Sequence, residues 1–334
     1  MNNFIKFILS TCLILSLTAC SVSSQRLSEA EQKAPVSKVN VKLQKYIEQL
    51  YSQDATERAW AAYNIGKSAK LAGNAAAYLI AVLNDNDTAV MSRYVGRDYT
   101  SAMTTTTANE AVKALAKIGR PAVKSLLLAL KDSNSDVVIK AIKTLGLIND
   151  NESIKPLVSF LSNKDKRIRL EAANSLSRFK NPWVTDYLLT TLKNNDPAIR
   201  ATALYALGKL KSPVAVPDLL LLLNDPDTSI RSQVLYVLSK FRDERIIQPL
   251  IDHAMVAREN TSEVNYRIEV ISALGNIRDY RVIEALIVIL EDKNKNIKTA
   301  AAGALAQIAD VNLGASPSKW KRWWSNKLKR SRKK

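Results

Sequence analysis

The sequence predicts an all-α protein, a solenoid or superhelix of about eight stacked helix-pair repeats. Three observations carry this expectation. An apolar anchor recurs as Ile65, Leu115, Leu145, Leu176, Leu207, Leu238, Leu274 and Leu305, at separations of 50, 30, 31, 31, 31, 36 and 31 residues. A residue able to cap a helix stands eleven positions before almost every anchor. A small or β-branched residue stands four positions before each one. Similarity at a fixed period of this length is the mark of a repeat array, with the two longer intervals holding insertions.

The first helix of each repeat follows from these positions. Eleven residues before the anchors stand Asp54, Thr104, Asn134, Asp165, Asp196, Asp227, Glu263 and Asn294. All but Glu263 are N-cap types, whose side-chain oxygen satisfies an orphan amide at a helix start. Pro197, next after Asp196, is favoured as the first helical residue. Ala61, Ala111, Ala141, Ala172, Ala203, Val234, Val270 and Ala301 precede the anchors by four. Ser68, Ile118, Ile148, Phe179, Leu210, Phe241, Ile277 and Ile308 follow by three. Offsets of −4, 0 and +3 share one helical face.

A second apolar helix follows each first one, as in 154–161, 216–223 and 282–290. Twelve residues after the anchor comes a leucine: Leu127, Leu157, Leu188, Leu219, Leu250, Leu286 and, two places late, Leu79; the eighth repeat departs. A single pair of this size cannot bury its own apolar surface, whereas stacked pairs cover one another. The run Leu219 to Leu223 sweeps more than one turn and suits a helix with neighbours on several sides.

Seven residues before the anchors stand Arg58, Ala108, Val138, Arg169, Arg200, Arg231, Arg267 and Lys298. With the capping acid they give D-x-x-[IV]-R, as in Asp196–Arg200 and Asp227–Arg231. The pattern D..IR..A..ALG.I over residues 45–312 resembles the HEAT-like repeat of the phycobilin-lyase type. The resemblance implies an α-solenoid that presents a surface to partners. The arginines are either an anion-binding stripe or partners of the acid four residues earlier and of neighbouring repeats. Some HEAT-like proteins are iron hydroxylases with His-Glu pairs on successive repeats, and others attach bilins. Here the only histidine, His253, aligns with Leu130, Phe160, Thr191, Leu222 and Ile289, a packing position. That favours a half-buried structural residue over a metal ligand. No P-loop, G-x-S-x-G or dinucleotide-binding turn is evident. The expectation is therefore a non-enzyme with no metal and no cofactor.

The N-terminus resembles a bacterial lipoprotein signal. Lys6 precedes an apolar stretch to Leu17, and Leu17-Thr18-Ala19-Cys20 forms the cleavage box. The resemblance implies removal of residues 1–19 and acylation of Cys20, for example with palmitate. Ser21, in place of Asp, leans towards an outer membrane facing the periplasm in a Gram-negative cell. Cys12 would leave with the signal, so the mature body would hold no free thiol and no disulfide. Residues 20–42 are polar and read as the lipidated cysteine with a flexible tether. The repeats then occupy 43–313, and 314–334 form a Trp-rich basic helix and tail.

The formal net charge is +18, and Pro317 to Lys334 holds nine cations and no acid, which leaves +9 elsewhere. Such a tail suits an anionic surface. Three stretches are candidate contact sites. The insertion 84–107 carries Arg93, Tyr94, Arg97 and Tyr99, residue types enriched at interfaces, and is read as a long loop that either binds or is merely tolerated. Leu220, Leu221, Ile251, Ile287 and Val288 lie beyond the core leucine; they line a hydrophobic groove if they face outwards, or are buried by neighbouring repeats. In the terminal helix, Trp320, Trp323, Trp324 and Leu328 share a face flanked by Lys319, Lys321 and Arg322. This helix either docks on anionic lipid or lipopolysaccharide or caps the last repeat. The W-x-x-W-W ending itself resembles the ends of other bacterial HEAT-like proteins. The whole points to a lipid-anchored envelope scaffold that binds another protein. Polyanion or nucleic-acid binding is the alternative, disfavoured by the lipoprotein signal.

Overall fold

The computed structural model describes residues 41–95, 98–256 and 261–331. Cys20 and residues 21–40 of the proposed tether lie outside the described residues, and its last two, Val41 and Lys42, already belong to the first described helix. Arg97 and the side chains of Arg93, Tyr94 and Tyr99 also lie outside the described residues. The chain is an all-α repeat protein with one β-hairpin among the described residues, and it divides into two units after Phe179.

The first unit contains α1 (Val41–Gln49), α2 (Ala55–Lys67), α3 (Ala76–Ala81), the strands β1 (Thr88–Val95) and β2 (Asp98–Thr106), α4 (Thr107–Ile118), α5 (Arg120–Ala129), α6 (Ser135–Ile148), α7 (Ile154–Ser159) and α8 (Lys166–Leu176). First helices stack in a row, α2 on α4, α4 on α6 and α6 on α8, while α3 packs on α5. Ahead of them, α1 packs on α2 and buries Leu43, Ile47 and Leu50.

The second unit contains α9 (Pro182–Thr191), α10 (Pro197–Leu210), α11 (Val216–Leu221), α12 (Thr228–Leu238), α13 (Ile247–Met255), α14 (Thr261–Ile277), α15 (Ile283–Ile289), α16 (Lys295–Ala309) and α17 (Pro317–Ser331). Its first helices stack as α10 on α12, α12 on α14 and α14 on α16, and the second helices as α13 on α15 and α15 on α17.

The repeat register explains the stacking. All eight anchors, and all eight residues four positions before them, are 0 % exposed. Such complete burial is the packing that an isolated helix pair lacks and a stack provides. Asp54, Asn134, Asp165, Asp196, Asp227 and Asn294 cap as expected, each accepting from the amide two residues on. Where adjacent first helices come closest, the chain carries glycine. A Cβ on Gly146 would stand 2.5 Å from the Ser175 Cβ and 2.8 Å from its Cα.

Three expectations need correction. Residues 88–106 are not a loop but an antiparallel hairpin with Thr88 opposite Thr106 and Met91 opposite Met103. Alternation explains the difference: Ala89 and Met91 are buried beside Ala59, Trp60 and Tyr63 of α2, and Val90 between them is exposed. The hairpin closes where the Ala108 amide donates to the Asp85 carbonyl, so the array of first helices resumes directly behind it. Thr104 accordingly lies in β2, and Thr106 caps α4 by accepting from the Asn109 amide. Glu263, the one residue of that series without cap chemistry, lies inside α14. In the second repeat the buried leucine is Leu126, with Leu127 half-buried, because only Gly119 separates α4 from α5 and the register arrives one residue early.

Candidate interaction surfaces

The recurring arginines are structural ties. Arg200 is buried and donates Nε–H to Asp225 Oδ2 at 2.9 Å and Nη2–H to Oδ1 at 2.7 Å. Its Nη1 donates to the carbonyls of Asn194 and Asn195, in the turn before its own helix. Asp225 also accepts the Asp227 amide, and its carbonyl accepts from Arg231. Arg58 repeats the scheme on Asp85 and Asp87 and on the Ser52 and Gln53 carbonyls. The Asp85 hydrogen bond raises the Arg58 pKa against the opposing effect of burial. Arg267 joins the Ala254 carbonyl to Asp292, and Arg169 holds the Asn163 and Lys164 carbonyls. The acid four residues earlier is no ion-pair partner of Arg200, because its carboxylate is engaged by its own helix N-terminus. The carboxylate that receives Arg200 belongs to the turn that opens the next repeat, so the tie runs between repeats. With their donors turned inwards, Arg58, Arg200 and Arg267 form no open anion-binding stripe.

The outward faces of the second helices are mixed. Leu221 is 71 % exposed and Val288 51 %, and each stands two residues after the buried leucine of its helix. The same register holds exposed Thr190 and Asp252. Leu220 and Ile251 are half-buried. Ile287 is 4 % exposed and lines no groove, because it points into the repeat stack. Trp183, at the start of α9, is an exposed aromatic that periodicity did not single out. Its place directly after Pro182, at a capped helix start, is the signal that marks it as outward.

The terminal helix α17 occupies the second-helix position of the last repeat. Trp320 is 0 % exposed, and its indole N–H donates to the Gly314 carbonyl at 2.7 Å. It is thus unavailable to a lipid surface. Trp323 and Trp324 are half-buried. The Trp324 ring stacks on Tyr280, 6.1 Å between centroids at 7°, and its N–H donates to Glu284. Lys321 pairs with Glu291 at 2.9 Å, whereas Lys319 and Arg322 are exposed. The apolar face that a membrane reading requires is turned onto α15 and its preceding turn. Hydropathy periodicity shows that such a face exists but not what covers it.

A HEAT-repeat family profile matches residues 123–195, 185–261 and 254–316, more than half of the chain. The chain belongs to the HEAT-repeat family. No curated protein matches it in sequence. Among solved structures, the CpcE–CpcF complex of phycocyanin lyase from Nostoc is similar at 22 % identity, covering 49 % of this chain and 98 % of that one, with a TM-score of 0.38. Human deoxyhypusine hydroxylase is similar at 18 %, covering 81 % and 96 %, with a TM-score of 0.34. Kap95p, in a structure with RanGDP, is similar at 12 %, covering 92 % and 46 %, with a TM-score of 0.47. With TM-scores below 0.5, these likenesses carry no argument about this chain.

Within the HEAT array, His253 sits half-buried on α13. Its Nδ1 lies 3.3 Å from the Tyr266 hydroxyl, which also hydrogen-bonds to the Leu223 carbonyl at 3.1 Å. Asn224, Asp252, Val256, Glu263 and Arg267 complete the lining of a shallow depression of about 200 Å³ there. Among the described residues no group of three or more His, Cys, Asp or Glu side chains is arranged to hold a metal ion. No described helix is long and apolar enough to cross a membrane.

Proposed function

We propose that the protein is a non-catalytic scaffold or adaptor, anchored in the bacterial envelope by lipid on Cys20, that binds another envelope protein through its HEAT-repeat surface. One observation carries the binding reading: Leu221 and Val288 stand at one repeat register, exposed, on helices whose other apolar side chains are largely buried. A large apolar side chain kept in water at a repeated position adds nothing to folding and gains free energy only when a partner covers it. HEAT arrays present such helices side by side, which suits protein partners. The anchor rests on the lipoprotein-like order of Lys6, the apolar stretch to Leu17 and the box ending at Cys20. Ser21 favours the outer membrane, facing the periplasm.

The test is metabolic labelling with palmitate followed by crosslinking in intact cells. The wild-type chain incorporates label and captures a discrete partner; Cys20→Ser loses the label, and Leu221→Asp/Val288→Asp loses the partner while remaining folded. Unlabelled wild-type protein, or unaltered capture by the double variant, overturns the reading.

A second reading, polyanion binding by the tail, is favoured by the exposed Lys319 and Arg322 beside the cations that follow them. Salt-sensitive retention on heparin that disappears when the chain ends at Leu313 assigns that property to the tail. Retention that survives the truncation assigns it to the repeats.

A further inference from the structure

Four residues past the anchor, each first helix turns towards its second helix. In the first unit this position is Gly119, at φ +73°, and Asn149, at φ +60°. Both choices suit the left-handed region, which glycine enters freely and asparagine enters more easily than most residues. In the second unit the equivalent residues after α10, α12 and α14 are Lys211, Arg242 and Arg278, whereas α16 ends one residue later on left-handed Asp310. Lys211 has φ +51° and Arg278 φ +57°, so two long cations occupy backbone positions that glycine would fill with less strain. All three are exposed, and none forms an ion pair among the described residues. Neighbouring carboxylates are otherwise engaged, Asp243 by Arg245, and Asp279 and Glu244 by Arg281.

The surroundings repeat as well. Tyr205, Lys209 and Lys211 on and after α10 recur 31 residues later as Tyr236, Lys240 and Arg242 on and after α12. Lys209 and Lys240 each lie 4.9 Å from the centroid of their exposed tyrosine ring. The helices α10, α12 and α14 are consecutive neighbours. The left-handed conformation at Lys211 ends α10, its amide donating to the Leu207 carbonyl, so the fold accounts for the turn but not for the long exposed cation that stands where glycine would be less strained.

We infer that this edge of the second unit, centred on Lys211, Arg242 and Arg278, is a docking strip for an extended acidic polypeptide segment of the protein partner. Neighbouring helices lie roughly 8–10 Å apart. An extended chain advances about 3.3 Å per residue. Carboxylates three residues apart therefore meet successive repeats. The tyrosines flank the track, but a lysine covers one face of each ring, which disfavours base stacking by a single-stranded nucleic acid. This deepens the scaffold reading and rests on it.

The test uses the full chain in detergent. Its probe is a synthetic 15-residue peptide with glutamate at every third position and a photo-crosslinker at its centre, with a 15-nucleotide oligothymidylate as the competing polyanion. Lys211→Gly/Arg278→Gly and Lys211→Ala/Arg278→Ala each weaken peptide binding about tenfold at low salt. Only the glycine variant also melts higher, by about 2 °C per site. Wild-type crosslinks fall on α10 and α12. Unchanged peptide affinity in both variants, a glycine variant melting no higher than the alanine one, or crosslinks confined to residues 317–334 overturns the inference. Tighter binding of the oligonucleotide, lost in the same variants, overturns it in favour of nucleic acid. The peptide assay does not depend on the native partner: capture of that partner by the glycine variant at wild-type strength sinks the strip alone, and failure of the wild type to capture any partner sinks the scaffold reading.

Discussion

Arg200 grips Asp225 with two parallel hydrogen bonds, at 2.9 and 2.7 Å, with both side chains buried. The pair links the first helix of one repeat to the turn that opens the next. Asp225 also receives the Asp227 amide, so the same carboxylate shapes the turn that positions the following N-cap. Removing it leaves a buried guanidinium without its counter-ion. Breaking such a pair costs about 3–5 kcal/mol. Asp225→Ala should lower stability by about that amount in denaturant titration, and Asp225→Asn by less. A loss below about 1 kcal/mol would show that water replaces the carboxylate without penalty.

Gly146 sets the approach of α6 and α8. An added methyl group would meet the Ser175 Cβ at 2.5 Å and its Cα at 2.8 Å, and a backbone atom cannot swing aside as a flexible side chain would. Overpacking of this kind costs about 1–3 kcal/mol. Gly146→Ala should destabilise the first unit, and Gly146→Ala/Ser175→Gly should recover part of the loss. Equal melting curves for Gly146→Ala and the parent would mean that the helices separate freely.

Trp320 closes the array. It is wholly buried and donates to the Gly314 carbonyl. Trp320→Ala should cost about 3–5 kcal/mol, read by denaturant titration of the intact chain. A membrane-docking role predicts the opposite: unchanged stability with lost binding to anionic vesicles. The two measurements on one variant separate cap from anchor.

Acid acts through three local pairs, Asp165 with Arg167, Asp243 with Arg245 and Asp279 with Arg281, of which the last two belong to the second unit. The hydrogen bond from Arg245 holds the Asp243 pKa below its ordinary value, and the Arg281 hydrogen bond does the same for Asp279. A carboxylate whose folded-state pKa is depressed adds stability above its unfolded value, near 3.9, and loses it as the pH falls through the folded value. Stability should thus be level from neutral pH to about pH 5 and decline below pH 4. Asp243→Asn/Asp279→Asn should flatten the decline. Because the arginines are largely exposed, solvent screening keeps the effect modest, and high salt should shrink it further. An unaltered acid limb in the double variant would place the sensitivity elsewhere.

The array was legible in the sequence wherever a single side chain reports its own environment. The anchors and the small residues four before them are fully buried, and six capping residues act as their chemistry requires. Sequence misjudged positions where two environments compete. Thr104 has the chemistry of a cap but lies in a strand, because alternation of Ala89, Val90 and Met91 against α2 outweighs capping propensity. Leu127 gave way to Leu126 because the single-residue turn at Gly119 shortened the register. Of the residues expected on an open apolar groove, Leu221 is outward and Ile287 inward, although both follow a core leucine on similar helices.

From the letters alone come the all-α class, the repeat length, six of the first-helix starts and the buried face of each first helix. These depend on local chemistry and on periods of the helix, which one strand of letters records in full. Which acid each arginine grips, what covers the tryptophans of α17 and which cations are left in water follow from the packing of the folded chain. Each of those outcomes depends on a neighbour a repeat away, whose distance and orientation follow from how the helices stack rather than from the identity of either residue alone.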